Sequence, residues 1–389
     1  MRARAPETLP LYVGGFLGPF GGAVLAVLVP QLRDAFGAST AAVAAAVPAY
    51  LVPFAALQLI SGTIGERLGR RRVVRAGYVA YAAASVGAAL APGIGVFLAC
   101  RAAQGMANAF LTPLVLAGLA EAVPPERIGR SVGTFAAVQT AAVALSPLCG
   151  GLLGALSWRW AFLAPAAVAA ALALLPPADA PPRAAEAGPA RLRALLDRRV
   201  GYLSAAAFAG YAGGAGVGFL VAVDAADAFG LGSAQRGLVL AGFGVAGMLL
   251  GRAAGGAVDR FDRVPVAVAG AVGCGALIGA LGLAGTPLEL GLLWFLAGAG
   301  SALTWAGINT LAVEAVPHNR AGATSVVGAF KFAGNAAAPL MWLPLYHADV
   351  HVGFAAAGAM TVLAGALTLP LAGRRVGTVG RRGAARLPR

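Results

Sequence analysis

Long apolar segments follow one another along this chain, separated by short polar stretches. Charged residues make up only 11% of the sequence and hydrophobic ones 59%, whereas a soluble globular chain carries roughly 25% charged residues. Too few charges are present to cover a soluble surface, so lipid must be the main solvent. A membrane-spanning helix needs about 20 mostly apolar residues. The 389 residues divide into twelve such segments, predicted at 10–30, 42–62, 73–91, 95–118, 131–154, 159–177, 200–223, 236–256, 265–284, 288–313, 322–345 and 352–372. The expected fold is therefore an all-α integral membrane protein. Glycine and proline are abundant, at 56 and 24. In apolar segments they favour close helix packing and helix breaks rather than disorder. Small-xxx-small steps occur at Gly14/Gly18/Gly22, Gly210/Gly214/Gly218 and Gly247/Gly251/Gly255.

The chain also repeats itself. Asp34-Ala35-Phe36-Gly37 returns as Asp227-Ala228-Phe229-Gly230. Gly62, Glu66, Arg67 and Arg70 return as Gly255, Asp259, Arg260 and Arg263. Glu121-Ala122-Val123-Pro124, with Arg127 and Gly129, returns as Glu314-Ala315-Val316-Pro317, with Arg320 and Gly322. One offset of 193 residues fits all three pairs, and all three blocks are expected in short polar loops. The chain reads as two copies of a six-helix unit. Such a duplicated bundle is the architecture of many secondary transporters, with the substrate site between the halves. The expected domains are residues 1–177 and 200–373, joined by a linker at 178–199 and followed by a basic tail at 374–389. The linker is proline-rich and ends in Arg198-Arg199, which suggests a short surface helix near 191–199.

Charge sets the expected orientation. The formal net charge is +14, a balance that suits nucleic acid or an acidic membrane surface, but its distribution has a simpler origin. With an even number of spans, 24 of the 29 basic residues fall on the side that carries both termini, and Arg33, Arg159 and Arg236 on the other. Arg101 and Lys331 lie inside spans. The excess of positive charge on the cytoplasmic side of membrane proteins predicts cytoplasmic termini in a multi-pass cell-membrane protein. The first apolar run is too long for a signal peptide and lacks a small-residue cleavage pattern, so it is taken as the first span. Cys100, Cys149 and Cys274 lie in separate spans, which indicates neither a disulfide framework nor a metal site.

The segment Gly62-Thr-Ile-Gly65-Glu66-Arg67-Leu-Gly69-Arg70-Arg71-Arg72 resembles the signature loop of the major facilitator superfamily, with Glu66 in place of the usual Asp. The resemblance implies that these residues, with Asp259 and Arg260 in the second copy, form a cytoplasmic gate that holds one access state closed. In the fourth span, Arg101-Ala-Ala-Gln104-Gly105 is similar to the Arg-x-x-Gln-Gly motif of the 12-helix drug:proton antiporters of that superfamily. Independently of the resemblance, Arg101, Gln104, Asn108 and Thr112 recur at three- and four-residue spacing and make one polar stripe. Such a stripe must face protein or water. In the fifth span, Ser146-Pro147-Leu-Cys149-Gly150-Gly151 resembles the Gly-Pro-x-x-Gly-Gly element of antiporters, with Ser146 where the family has Gly. Pro147, Gly150 and Gly151 are expected to form a hinge.

Lys331 is the only lysine in the chain and lies about ten residues into the eleventh span. Asn335 follows one turn later on the same face. Burial depresses the pKa of a lysine, so a lysine at this depth is a candidate for titration in a working cycle. The resemblance implies that the fourth and eleventh spans border a central cavity, so Arg101 and Lys331 are expected to face the same space. Trp305 and Asn309 form an i,i+4 pair in the tenth span. Tyr50, Gln58 and Gln139 are secondary lining candidates. His347, Asp349 and His351 could hold a metal on a loop, but plain polar residues are the expected reading, and neither metal nor cofactor is predicted.

All 15 acidic residues are expected in loops or at span ends. The spans offer no histidine or carboxylate for an enzyme site, and no segment is long enough for a soluble sensor domain. The predicted function is secondary transport by alternating access, with export of a small organic molecule by proton antiport through Lys331, or through Asp34 or Asp227. The alternative is an organic anion held by Arg101 and Lys331. Expected partners are a small-molecule substrate, lipid and protons, with no nucleic acid, and a monomer is expected.

Overall fold

A computed structural model describes residues 5–124, 128–177, 197–316 and 320–372. Among the described residues the secondary structure is helical, in twelve passes. Pass α1 is Ala5–Ala23 continued by Leu25–Phe36, with a 50° bend between them. Pass α2 is Thr40–Ala44 continued by Ala46–Leu68; α3 is Arg70–Ala89, α4 Ile94–Ala122, α5 Ile128–Leu156 and α6 Trp160–Ala173. Pass α7 comprises Arg198–Gly213, a 3-10 turn at Ala215–Val217, and Gly218–Asp227. The rest are α8 (Ser233–Phe261), α9 (Arg263–Leu281), α10 (Pro287–Ala315), α11 (Arg320–Ala348) and α12 (Val350–Ala366). Nine of these helices are individually long and apolar enough to cross a bilayer, and the bent α1 makes ten. Pass α3 opens on arginines and α6 has only 14 residues. The arrangement is consistent with twelve crossings in two six-helix bundles. The end carrying both chain termini is called the near end below, and the opposite one the far end.

Several helices, α2, α4, α8 and α11 among them, run beyond the predicted spans at both ends, while α6 stops short of its own. The repeated blocks are accordingly helix ends and the short turns that follow them. Residues 62–68 are the last turns of α2, a single residue (Gly69) turns the chain, and α3 begins at Arg70. The second copy does the same with Asp262 between α8 and α9. Both pivots have positive φ, 90° at Gly69 and 76° at Asp262, a region costly for a non-glycine residue. The Asp262 carboxylate accepts from the Arg263 backbone N–H at 2.7 Å, as a helix cap. The far-end turns match too, with φ of 57° at Gly37 and 63° at Gly230.

The repeat extends from the sequence into the geometry. The bend in α1 falls at Val24 and the break in α7 ends at Val217, its counterpart 193 residues on. Arg70 of α3 pairs with Glu121 of α4, at 2.5 and 3.0 Å. Their counterparts Arg263 and Glu314 make the same ion pair between α9 and α10. The linker up to residue 196, His318, Arg127 and the tail from 373 lie outside the described residues.

Packing differs between the two ends. One apolar core serves both halves at the far end and includes Val24 to Leu32 of α1, Val217 to Ala225 of α7, Trp158, Trp294, Trp342 and Tyr346. Toward the near end the cores separate. One is built around Tyr78, Leu111 and Phe135 of the N-terminal half and reaches across only to Ala336 and Phe332. The other is built around Leu203, Ile308 and Val327 of the C-terminal half.

Candidate functional site

The seam between α5 and α8 shows how the halves meet. Gly237 and Gly244 of α8 lie one heptad apart and face Pro147, Gly151 and Ala144 of α5. A methyl group at Gly151 would overlap the Ser233 carbonyl, and one at Gly237 the Pro147 carbonyl. Glycine is therefore required for this close approach. One heptad nearer the termini, Gly251 has nothing within 4 Å of where a Cβ would sit. Gly251 and Ala137, the next residue of that face on α5, are both exposed. The two helices touch at the far end and splay toward the near end. Helix α5 runs unbroken through Pro147. In this conformation Pro147 and Gly151 make the seam with α8, while Gly150 packs under Val24 and Val27 of α1 in its own half.

At the far end Arg33 of α1 bridges the halves. It reaches Asp34 at 3.2 Å and Asp227 of α7 at 3.2 Å, the two aspartates being repeat counterparts. Beside them Asp224 is 6% exposed and accepts a hydrogen bond from the Tyr346 hydroxyl at 3.0 Å. The sequence reading missed Asp224 as a buried group. It lies in the last turn of α7, a span end by position but an interior by packing, because Tyr346 of α11 covers it. Nothing in the local sequence announces that cover.

The residues expected at the near-end gate take separate places in this conformation. Arg70 is paired with Glu121 within its own half. Gly69 supplies the turn, Arg71 and Asp259 are exposed, and Arg260 lies over the Phe261 ring at 5.2 Å. Gly62 and the side chains of Glu66 and Arg67 lie outside the described set.

The polar stripe of α4 forms, but it faces inward. Arg101 is 0% exposed and lies under the Tyr50 ring at 4.5 Å and the Phe162 ring at 5.9 Å. Its Nη1 donates to Gln104 Oε1 at 2.7 Å, Gln104 Nε2 donates to Ser85 Oγ at 2.7 Å, and Ser85 donates to the Tyr81 carbonyl at 2.7 Å. Arg101 Nε and Nη2 are buried without a hydrogen-bond partner. Thr112 donates to Asn108 at 3.3 Å, and Asn108 fills the space over Gly18. Gly105 has a packing reason, since a Cβ there would strike the Tyr50 carbonyl of α2. The first small-residue stripe is used likewise, with Gly14 under Tyr78 and Gly18 under Asn108, while Gly251 and Gly255 of the third meet nothing.

Lys331 lies on the other half, partly exposed, among three aromatic rings. Its Nζ is 4.9 Å from the Tyr211 centroid (α7), 5.0 Å from Trp305 (α10) and 4.8 Å from Phe332 (α11). Tyr211 and Trp305 meet edge to face at 5.2 Å. Asn309, one turn from Trp305 toward the near end, is exposed. Asn335 reaches the break in α7, its Oδ1 lying 3.2 Å from where a Cβ on Gly216 would sit. The two cations do not share a space in this conformation, because Arg101 is sealed beneath Tyr50. A line of rings connects them instead: Tyr50 to Phe54 at 6.4 Å, and Phe54 across the interface to Phe332 at 5.2 Å. The secondary candidates Gln58 and Gln139 are partly buried. The aspartate of the His347-Asp349-His351 group caps α12, accepting from the His351 and Val352 N–H groups at 2.7 and 3.1 Å.

Known proteins share this architecture. The family model described as Major Facilitator Superfamily matches residues 11–339 and again 203–388. The puromycin resistance protein of Streptomyces alboniger is 34% identical over 157 residues, which is 40% of this chain and 31% of that protein. The tetracenomycin C resistance and export protein of Streptomyces glaucescens is 27% identical over 148 residues, 38% and 28% of the two chains. The matched stretch thus spans less than a third of these relatives' length. Among solved structures, the bacterial homolog of the human lysosomal transporter Spinster, inward-facing and occupied, has a TM-score of 0.77 at 16% identity, covering 94% of this chain and 96% of that one. The inward-open xylose transporter of E. coli has a TM-score of 0.71 at 19% identity, covering 95% and 97%.

Proposed function

Because the chain belongs to the major facilitator superfamily, a family of membrane transporters rather than enzymes, we propose that it exports a small organic molecule across the cell membrane by proton antiport. The observation that carries this reading is the contrast between the two ends: a shared core and an ion pair at the far end, against splayed helices at the near end. With both termini in the cytoplasm, as the arginine distribution favours, this is an inward-open transporter whose halves rock about a midplane site. Export of drug-like compounds is supported by the relatives named for puromycin and tetracenomycin C resistance.

Lys331, Trp305, Asn309 and Asn335 are the proposed substrate-facing residues, and Lys331 the proposed coupling group. Asp34, Asp227 and the buried Asp224 are further proton sites at the far end. Arg101, Gln104 and Asn108 support the site from behind by fixing Tyr50 of α2. Gly62, Glu66, Arg67, Gly69, Arg70, Arg71, Asp259 and Arg260 would come together when the near end closes, with Pro147 and Gly151 the contact about which α5 and α8 pivot and Gly150 the close approach of α5 to α1 beside it.

The test is a substrate screen in proteoliposomes with an imposed pH gradient and an internal pH-sensitive dye. Addition of a transported compound is expected to move protons in the wild type, and Lys331→Ala is expected to abolish that movement. Silence across drugs, sugars and organic anions would remove the function while leaving the fold.

A further inference from the structure

The surroundings of Lys331 specify a ligand charge. Three rings from three helices place their centroids 4.8–5.0 Å from one ammonium, within the roughly 6 Å at which a ring face attracts a cation. Among the described residues Lys331 has no carboxylate partner, so these faces are what its charge meets inside the protein. The position is about 16 Å from the start of α11 at 1.5 Å per residue, near mid-bilayer. It is only partly buried, so the flexible stem can withdraw the ammonium toward the open near end.

Resting on the transporter reading above, we propose that the cage formed by Tyr211, Trp305 and Phe332 is a binding site for a lipophilic organic cation, and that Lys331 is its tethered occupant. Ring faces are electron-rich and complementary to a cation. A delocalised or quaternary cation sheds its water more readily than an ammonium, so it gains more from a cage of ring faces that offers no carboxylate. Two positive charges repel strongly in a medium of low dielectric, so substrate and ammonium occupy the cage in turn. Phe332 also touches Phe54 of the other half edge to face. A change of occupant is thereby felt at the contact between α2 and α11, where the halves move against each other. A bound anion would have the Lys331 ammonium as its sole cationic partner, because Arg101 is sealed away from the cage, and it would be repelled by the three electron-rich ring faces.

The experiment measures binding of tetraphenylphosphonium, and of its isosteric anion tetraphenylborate, to the purified full chain in nanodiscs. Wild type is expected to bind the phosphonium. Lys331→Met, which removes the competitor, is expected to bind it at least tenfold more tightly, a gain that misfolding cannot imitate. The pair Trp305→Leu/Tyr211→Leu is expected to weaken binding at least tenfold, while Trp305→Phe, which keeps a ring face, retains it. The inference is overturned if Lys331→Met leaves phosphonium affinity unchanged or lower, or if tetraphenylborate is the ligand and Lys331→Met abolishes its binding. Proton movement with some drug but without this binding pattern sinks the cation cage and leaves antiport standing. The binding pattern without proton movement for any compound supports the cage and removes antiport.

Discussion

Burying the Arg101 guanidinium is costly, and its surroundings explain how that cost is met. A guanidinium with no exposure keeps one charge-assisted hydrogen bond, to Gln104, and two ring faces. Hydrogen bonds to charged groups contribute about 1.5–3 kcal/mol. Gln104→Leu is therefore expected to destabilise the protein by about 2–3 kcal/mol, read as a lower midpoint of thermal unfolding in detergent. The double variant Arg101→Met/Gln104→Leu is expected to recover most of that loss, because an apolar replacement of a buried charge network is often neutral. A single variant as stable as wild type would mean that water reaches the guanidinium. Regular spacing revealed the stripe of Arg101, Gln104 and Asn108. The direction it faces was not legible, since that depends on Tyr50 and Ser85, which lie on other helices.

Between helices, glycine decides which surfaces can meet. Gly237 and Gly251 of α8 are two heptads apart and chemically identical, yet a side chain at the first would strike the α5 backbone and one at the second would meet nothing within 4 Å. Gly237→Val is expected to pry the far end open, and Gly251→Val to leave this conformation undisturbed. Maleimide labelling of Ser233→Cys from the far side, where the native serine is buried, separates the two: faster labelling is expected in the Gly237 background only. Equal labelling in both would mean that the seam does not close the far end. The sequence shows both glycines in an apolar segment but not which one has a neighbour. That asymmetry exists only in one conformation of two helices distant in sequence.

For the whole molecule, the balance between access states rests on contacts across the two halves. Arg33 and Asp227 form such a contact with side chains 32% and 45% exposed, and exposed ion pairs contribute at most about 1 kcal/mol. Asp227→Asn is expected to shift the population toward far-end opening by no more than about fivefold. Raising the ionic strength in wild type should reproduce part of the shift, since salt screens exposed pairs. Distances between spin labels on the two halves at the far end would report both, and a complete switch of state in Asp227→Asn would show that the ion pair, rather than the shared apolar core, holds the far end shut.

Hydropathy along the chain determined the membrane helices, and the 193-residue offset determined the duplication, because both are written in one dimension. The same offset relates the paired turns at Gly37 and Gly230, but the twin ion pairs Arg70–Glu121 and Arg263–Glu314 emerged only from the packing of neighbouring helices. Only the tertiary structure decided that Arg101 is sealed while Lys331 stands in a ring of aromatics, that Asp224 is interior, and that the far end is the closed one. Each of these depends on which faces of sequence-distant helices touch, and a helix of period 3.6 presents several faces that its sequence alone does not rank.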